Sequence, residues 1–270
     1  MTDYNNQMTL TIYQVDAFAD AVFKGNPAAV CPLNEWLADA VLQQIAAENN
    51  LSETAFYVVR GDRFEIRWFT PAVEVDLCGH ATLATAYVIR HCENYSGDII
   101  RFYSPRSGEL PVSVQGDLLV LNFPTDKLTE VPLTEELLGT TDKQPLRAYK
   151  GRSDYLLVFG QQEDIATLQP NLPQITALDA RGVIVTAKGR NHDFVSRFFG
   201  PAVGVDEDPV CGSAHTTLTP YWAAQLGKDE LTAFQLSKRT GTLHCKLLGD
   251  RVELGGTAVL YLKGEIYVGY

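Results

Sequence analysis

Basic residues are few in this 270-residue sequence, and no long apolar run occurs. Lys and Arg number 22 against 33 Asp and Glu, which gives a formal net charge of -11, and they form no cluster. Nucleic acids and anionic membranes are bound through basic patches, so the sequence predicts neither partner. The N-terminus has no basic segment followed by an apolar one, and no run is long enough for a membrane helix. We therefore expect no secretory signal, no membrane span and a cytoplasmic location.

Cysteine is also scarce, and its positions are scattered. The five residues are Cys31, Cys78, Cys92, Cys211 and Cys245, an odd number without a CxxC pair. This pattern excludes the disulfide framework of small secreted proteins and predicts free thiols. No histidine stands at the usual zinc-ligand spacing from them, so we expect no metal. Cys31, Cys92 and Cys245 are predicted to be packing residues.

What the sequence does contain is an internal repeat. Residues 67–81, RWFTPAVEVDLCGHA, resemble residues 197–214, RFFGPAVGVDEDPVCGSA, with seven identities in the first ten positions. The second copy carries three inserted residues at 207–209 before the two copies match again at Cys-Gly. Two copies are too few for a solenoid, so the repeat predicts a duplicated domain.

Two Gly-Asp pairs support the duplication. Gly116-Asp117 and Gly249-Asp250 each separate two alternating apolar segments, a pattern typical of a hairpin, and each Gly follows the Cys of its own copy by 38 residues. We predict an α+β fold with halves at 1–128 and 129–270, in which the last strand may pair with the first half. The polar residues 124–150 are interpreted as the connection between the halves.

Local patterns place the remaining elements. Strands are predicted at 8–17, 51–59 and 64–70, and a helix from an N-cap at Asn34 to Glu48. In the second half, Pro220 is expected to kink or shorten its helix.

The segment after each Cys-Gly pair is small or apolar all round, which predicts a helix buried on every side. The N–H groups of a helix N-terminus can bind a carboxylate. Gly79 and Gly212 are therefore candidate binding residues for a small anionic substrate held in a cleft between the halves. Asn26, in a Gly-Asn-Pro turn, is either a further ligand contact or a residue required for turn geometry.

The two halves carry different residues at several aligned positions, as a site for an unsymmetrical substrate requires. Glu53 aligns with Val183, Asp208 belongs to the insertion, and His80 aligns with Ser213. A carboxylate at the head of an apolar strand is costly to bury without a partner, and a pocket would raise its pKa toward that of a general acid or base. Glu53 is thus either catalytic or a solvated strand-end residue.

Cys78 and Cys211 form the alternative pair of bases. Each precedes a Gly at a predicted helix start, a position that lowers a thiol pKa. Two thiols on opposite faces of one carbon can remove and return a proton with inversion. Equally, both can be small buried hydrophobes.

The segments GNPAAV, NLSETAF, FTPAVEVDLCGHATLA and DEDPVCGSAH together resemble the phenazine-biosynthesis PhzF-like family, and the resemblance runs along the whole chain. It implies a diaminopimelate epimerase-like fold, two pseudo-symmetric halves each with a β-structure around a central buried helix, and an active site between them. It also implies that Glu53 moves a proton and that His80, Asp208 and Ser213 line the same site. Both thiols together are instead similar to the pattern of diaminopimelate epimerase and proline racemase.

We therefore expect a cofactor-independent isomerase of a small carboxylate, with Glu53 and Asp208 on opposite walls of one chamber. The alternatives are a two-cysteine racemase or epimerase and a non-enzymatic small-ligand binding protein. The chain is also expected to be able to form a homodimer.

Overall fold

The structure is a computed structural model that describes residues 7–269. The strands are, in chain order, β1 (Gln7–Ala17), β2 (Asn26–Leu33), β3 (Glu53–Arg60), β4 (Arg63–Phe69), β5 (Glu74–Val75), β6 (Ile99–Ser104), β7 (Gly108–Gln115), β8 (Leu118–Pro124), β9 (Thr129–Val131), β10 (Arg147–Lys150), β11 (Asp154–Val158), β12 (Gly182–Lys188), β13 (Phe194–Phe199), β14 (Glu230–Gln235), β15 (Gly241–Leu248), β16 (Arg251–Gly256) and β17 (Ala258–Gly269). The α-helices are α1 (Asp39–Asn49), α2 (Gly79–Tyr87), α3 (Glu135–Leu138), α4 (Gln162–Thr167), α5 (Leu172–Thr176) and α6 (Gly212–Leu226). A π-helical turn at Val88–Cys92 follows α2, and a 3-10 turn at Pro201–Val203 precedes α6.

The chain divides into two compact units. The first contains Met1–Leu121 and Gly256–Tyr270, and the second contains Asn122–Gly255. This division differs from the predicted halves, because the end of the chain belongs to the first unit. The reason is that β17 pairs antiparallel with β1 from one end of β1 to the other. β17 therefore belongs to the first unit.

Both units repeat one order of strand pairings. In the first, β2 and β3 are parallel, β3 and β4 antiparallel, β4 and β6 parallel, and the β6–β7–β8 meander is antiparallel. In the second, β11 through β16 repeat the same sequence of parallel and antiparallel pairs. A parallel pair needs a crossover, and α2 and α6 provide the equivalent crossovers. Each Cys-Gly pair therefore lies where a strand passes into a buried helix.

The two-residue hairpins occur as predicted. Gln115 pairs with Leu118, and Leu248 pairs with Arg251, so Gly116-Asp117 and Gly249-Asp250 are the turns. Both glycines have a left-handed φ, near +63° and +65°, which glycine adopts without the steric cost that a Cβ imposes.

In the first unit, α2 is buried on nearly every side, as its composition predicts. Seven of its nine residues, His80 to Ala86, are buried.

An apolar cluster packs α1 against the sheet. Its buried members include Leu42 and Ile45 from α1 and Phe56 and Val58 from β3.

In the second unit, α6 runs through Pro220 without interruption over 15 residues, so the predicted shortening is wrong. Proline cannot donate to the carbonyl four residues earlier, that of Thr216. The backbone N–H of Asp126 donates to this carbonyl instead, at 3.2 Å. The exchange of partners keeps the helix continuous. A separate core lies under α4 and α5, where Ile165 and Ile175 pack with β12.

The predicted start of the first helix is also wrong. The helix begins at Asp39 after an N-cap at Ala38, and Asn34 lies outside it. The preceding segment is held against the sheet, because the indole N–H of Trp36 donates to Glu65 at 3.1 Å. The helix ends at Asn49, one residue after the predicted Glu48, and Asn50 takes the left-handed C-cap conformation.

Residues 124–150 are not a separate linker. They contain β9, α3 and β10, and β10 pairs with both β9 and β11 inside the second unit. Their polar composition reflects exposed strand and helix faces. Across residues 7–269, none of the helices has the length and apolar character needed to cross a membrane.

Candidate active site

Glu53 is the first residue of β3, immediately after the turn that ends α1. In the parallel pairing of β2 with β3, it lies opposite Ala28. The turn is fixed because the side-chain amide of Asn49 donates to the hydroxyl of Thr54 at 3.1 Å. The Glu53 side chain is 18% exposed, so it is mostly withdrawn from solvent and is not a solvated strand-end carboxylate.

Cys78 and His80 come from the start of α2. Cys78 is the N-cap, and its carbonyl accepts from both the backbone N–H and the hydroxyl of Thr82, at 3.1 and 2.6 Å. These bonds fix the first helical turn. His80 lies inside that turn and is buried.

The three side chains meet at one point. Nε2 of His80 lies 3.1 Å from Oε2 of Glu53, and Nδ1 of the same ring lies 3.5 Å from Sγ of Cys78. Within residues 7–269, no donor meets hydrogen-bond geometry at Oε2 of Glu53. The contact with His80 is therefore a close ion pair rather than an aligned hydrogen bond. The imidazole stands between a thiol and a carboxylate.

The charge state of this group differs from the expectation. Burial acts to raise the pKa of Glu53, but the charge of His80 outweighs it, so the pKa is lowered. Burial acts to lower the pKa of His80, while Cys78 and Glu53 raise it well above its usual value. The predicted rise for Glu53 is wrong, because it considered burial without the histidine. The pair is a carboxylate beside an imidazolium.

Gly79 lies between Cys78 and His80 in the chain, whereas Asn26 lies in the strand that pairs with β3. Gly79 is the first residue of α2 and is half-buried. Asn26 is the first residue of β2 and is fully buried, two residues before Ala28, the β2 residue opposite Glu53. The left-handed position of the turn belongs to Gly25, at φ +63°, where a Cβ would lie 2.2 Å from a backbone oxygen. Positive φ therefore does not account for Asn26.

In the second unit, the inserted residues form a loop that hydrogen bonds hold in place. The backbone N–H of Asp208 donates to the carbonyl of Phe198 at 3.1 Å. Gln235 bridges the loop, because its amide nitrogen donates to the Asp208 carbonyl at 2.6 Å and its amide oxygen accepts from the Cys211 N–H at 2.9 Å. Asp208 and the start of α6 are thus held by one side chain.

Cys211 is the N-cap of α6 and is followed by Gly212 at its first position. Its sulfur lies 3.3 Å from the hydroxyl of Ser213, which is exposed. His215, one turn into the helix, is fully buried, and its Nδ1 lies 2.8 Å from the carbonyl of Cys211. Burial lowers the pKa of His215 to about 4, so the ring is neutral at pH 7.

Both N-cap thiols have a raised pKa, contrary to the expectation. Burial is the largest cause for each, and the second is the charge of Glu53 for Cys78 and of Asp208 for Cys211. The helix N-terminus does not overcome these effects. Both sulfurs are therefore thiols at neutral pH.

Arg181 is a half-buried cation that the sequence did not predict. Its Nε donates to Oδ1 of the buried Asp154 at 2.9 Å, a second nitrogen donates to Oδ2, and its guanidinium carbon lies 4.9 Å from the ring centre of Phe198. Burial acts to lower the pKa of Arg181, but Asp154, Cys211 and Asp208 raise it. Its sequence neighbours, Ala180 and Gly182, form no charged motif with it. Its partner becomes apparent only from the pairing of β11 with β12.

The structure thus forms one cluster in the first unit, Glu53, Cys78 and His80, and one in the second, Asp208, Cys211 and Ser213. The expectation that Glu53 and Asp208 share a chamber stays a prediction. His91 is exposed, and His192 is half-buried and stacks on Phe234.

Comparison with known proteins gives consistent matches along the chain. The family model described as phenazine biosynthesis-like protein, PhzC-PhzF, matches residues 15–264. An uncharacterised isomerase of Pseudomonas aeruginosa is 51% identical over 264 residues, covering 97% of this chain and 100% of the relative. A PhzF-family crystal structure from Enterococcus faecalis superposes with a TM-score of 0.94 at 47% identity, covering 97% of this chain and 100% of that one.

A more distant match concerns the fold alone. A hydroxyproline epimerase from Agrobacterium vitis superposes with a TM-score of 0.59 at 8% identity, covering 97% of this chain and 93% of that one. The predicted epimerase-like fold is confirmed.

Proposed function

The chain belongs to the phenazine biosynthesis-like family, and we propose that it is a cofactor-independent isomerase that moves a proton on a small carboxylate-bearing substrate. An isomerase is the class in which its close relatives are named. The observation that carries the proposal is the buried contact of 3.1 Å between Glu53 and His80. Phe56 pairs with Arg67 as Val185 pairs with Arg197, so the second unit has Gly182 opposite Glu53 in the repeat rather than the Val183 that the sequence alignment predicts, and Ser213 in place of His80.

Glu53 is the acid and base in this proposal. One carboxylate oxygen takes a proton from a substrate carbon, and the C–H electron pair moves into the adjoining unsaturated group. The protonated Glu53 then returns the proton to another carbon. The sequence of steps involves no net oxidation. His80 holds Glu53 ionised before the first step, which makes the carboxylate ready but weakly basic. The substrate C–H must therefore be acidified by neighbouring groups.

The second unit supports an anionic substrate. Its α6 N-terminus presents backbone N–H groups at Gly212, Ser213 offers an exposed hydroxyl, and Arg181 supplies a cation whose pKa responds to Asp208. We include Asp208 and Ser213 as groups that contact the same substrate. Gly79 and Asn26 are the corresponding binding residues of the first unit.

A two-thiol racemase is the second candidate. The favouring observation is that Cys78 and Cys211 are the N-caps of equivalent helices. The raised pKa of both thiols weighs against it, because a thiol base acts as a thiolate.

The test is proton exchange. Candidate carboxylates are incubated with the protein in deuterated water, and NMR follows deuterium entering next to the acid group. Glu53→Gln should lower the exchange rate at least about 100-fold, while Glu48→Gln on the exposed face of α1 should not change it. Cys78→Ser and Cys211→Ser should retain exchange.

Loss of exchange in both cysteine variants, with Glu53→Gln still active, would instead establish the racemase. Saturable binding of carboxylates without exchange would indicate a non-enzymatic binding protein.

A further inference from the structure

The Glu53, Cys78 and His80 cluster contains three different metal-ligating groups. One carboxylate oxygen, one sulfur and one ring nitrogen lie within 4.8 Å of one another. Two of the three residues are buried and the third is half-buried. We propose that this cluster binds one zinc-class divalent cation and that the bound ion inhibits the isomerase. The binding half is independent of the proposed function, and the inhibition half rests on it.

The Glu53–His80 distance fits four-coordinate zinc, whereas the Cys78 sulfur lies farther away. Zinc bonds of about 2.0–2.3 Å at tetrahedral angles place neighbouring ligand atoms about 3.3–3.6 Å apart. Nε2 of His80 lies 3.1 Å from Oε2 of Glu53 and 4.0 Å from Sγ of Cys78. Sγ of Cys78 lies closer to Nδ1, at 3.5 Å, so the Cys78 side chain must rotate toward the Nε2 side of the ring to complete the set.

The backbone already holds these ligands in place. Cys78 and His80 share the first turn of α2, which the two bonds from Thr82 fasten. Glu53 lies in β3, which is paired on both sides. Ligands on regular elements need little reordering when the ion binds. The protein supplies three ligands, so one position stays open for water or a substrate carboxylate.

The second unit provides an internal comparison. Cys211 is the equivalent thiol, but Gly182 and Ser213 replace the carboxylate and the imidazole. Within residues 7–269, the first-unit cluster is the one group of this kind. The expected stoichiometry is therefore one ion per chain. The sequence expectation of no metal considered spacing along the chain, and it missed a carboxylate brought in by another strand.

Binding and catalysis exclude each other at this cluster. As the ion binds, the thiol proton and the Nε2 proton of the imidazolium leave to solvent, and the carboxylate oxygen that accepts the substrate proton becomes a ligand. The bound ion therefore leaves no free carboxylate to act as the base. Zinc should inhibit proton exchange in competition with the reaction, and a chelator should restore it.

Cobalt(II) is the probe for the binding half, because it takes the same sites as zinc and absorbs light. Metal-free protein titrated with cobalt should develop a thiolate-to-cobalt band that saturates at one ion per chain. Cys78→Ser should remove the band and weaken zinc binding by at least about tenfold. Glu53→Gln and His80→Asn should also weaken zinc binding. Cys92→Ser, which removes a half-buried thiol of the same unit, should leave the spectrum unchanged.

A wild-type spectrum without the thiolate band, or a band that persists in Cys78→Ser, would overturn the proposed metal site. Exchange is then measured on metal-free protein. A cobalt band in a protein that shows no proton exchange would support the metal site and contradict the proposed isomerase activity. Failure of one proposal can therefore be distinguished from failure of the other.

Discussion

Arg197 donates two hydrogen bonds to Glu207, from Nε at 2.6 Å and from a terminal nitrogen at 3.0 Å. The equivalent Arg67 makes the same fork to Glu74, at 2.7 and 2.8 Å. Glu74 aligns with Gly204, so the acid that pairs with the arginine of the second unit lies in the three-residue insertion instead. The insertion therefore supplies the carboxylate of this ion pair in the second unit. It also places Asp208 beside the start of α6.

Glu207→Gln is expected to lower the free energy of unfolding by about 1–3 kcal/mol, because it weakens a bidentate, mostly buried pair. Glu74→Gln is the corresponding change in the first unit and should cost at least as much, because Glu74 also accepts from Arg106 at 2.8 Å. Urea denaturation measures both. Only Glu207→Gln should also lower proton exchange through the adjoining Asp208 loop, and an equal loss in both variants would contradict this role for the insertion.

The second prediction concerns Arg181 and Asp154. Arg181→Met leaves a buried carboxylate without its partner, which should cost about 1–3 kcal/mol of stability. Adding Asp154→Leu should recover part of that loss, because no charge is then left unpaired. Chemical denaturation of the two single variants and the double variant gives the coupling energy. Additive losses would show that the ion pair contributes nothing beyond packing.

Arg181 also marks the limit of prediction from sequence. The repeat, the hairpins and the buried helices are local patterns, and the structure reproduces them. The pairing of Arg181 with Asp154 depends on β11 lying beside β12, which no local pattern records. The same holds for Pro220, whose effect was overestimated because the N–H of Asp126, far away in the chain, satisfies the exposed carbonyl.

The pKa directions failed for a related reason. The prediction for Glu53 considered burial alone, whereas the structure adds the charge of His80. The prediction for Cys78 considered the helix terminus alone, whereas the structure adds burial and the charge of Glu53. Identities of single residues could be predicted from asymmetry between the repeats. The charge they carry depends on neighbours that the fold brings together.

The third prediction concerns thiol reactivity. Burial raises the pKa of Cys31 and of Cys245 to about 12, so roughly one molecule in ten thousand carries either thiolate at pH 8. Cys92 is half-buried and should react first with a small alkylating reagent. Mass spectrometry should find Cys78 and Cys211 at least about tenfold slower. Cys92→Ser should remove the fast phase. Rapid labelling of Cys78 in that variant would mean that its thiolate is available, as the racemase requires.

The last prediction is a pH dependence at Asp193, away from the proposed site. Burial acts to raise the pKa of Asp193, but the hydrogen bond from Lys228 and the backbone N–H of Thr232 outweigh it, so the pKa is lowered. Lys228 lies 2.6 Å from one carboxylate oxygen, and the Thr232 N–H lies 2.7 Å from the other.

A lowered folded-state pKa means that the stabilisation is complete above the unfolded pKa, near about 3.9, and is lost as the pH falls through the folded value. Asp193→Asn should therefore cost about 1 kcal/mol at pH 7, and the difference from wild type should shrink below about pH 4. Lys228→Met should show the same pH dependence. Urea denaturation from pH 3 to pH 7 measures both. A difference that stays constant over this range would mean that the charge of Asp193 does not stabilise the fold, since a neutral hydrogen bond does not titrate.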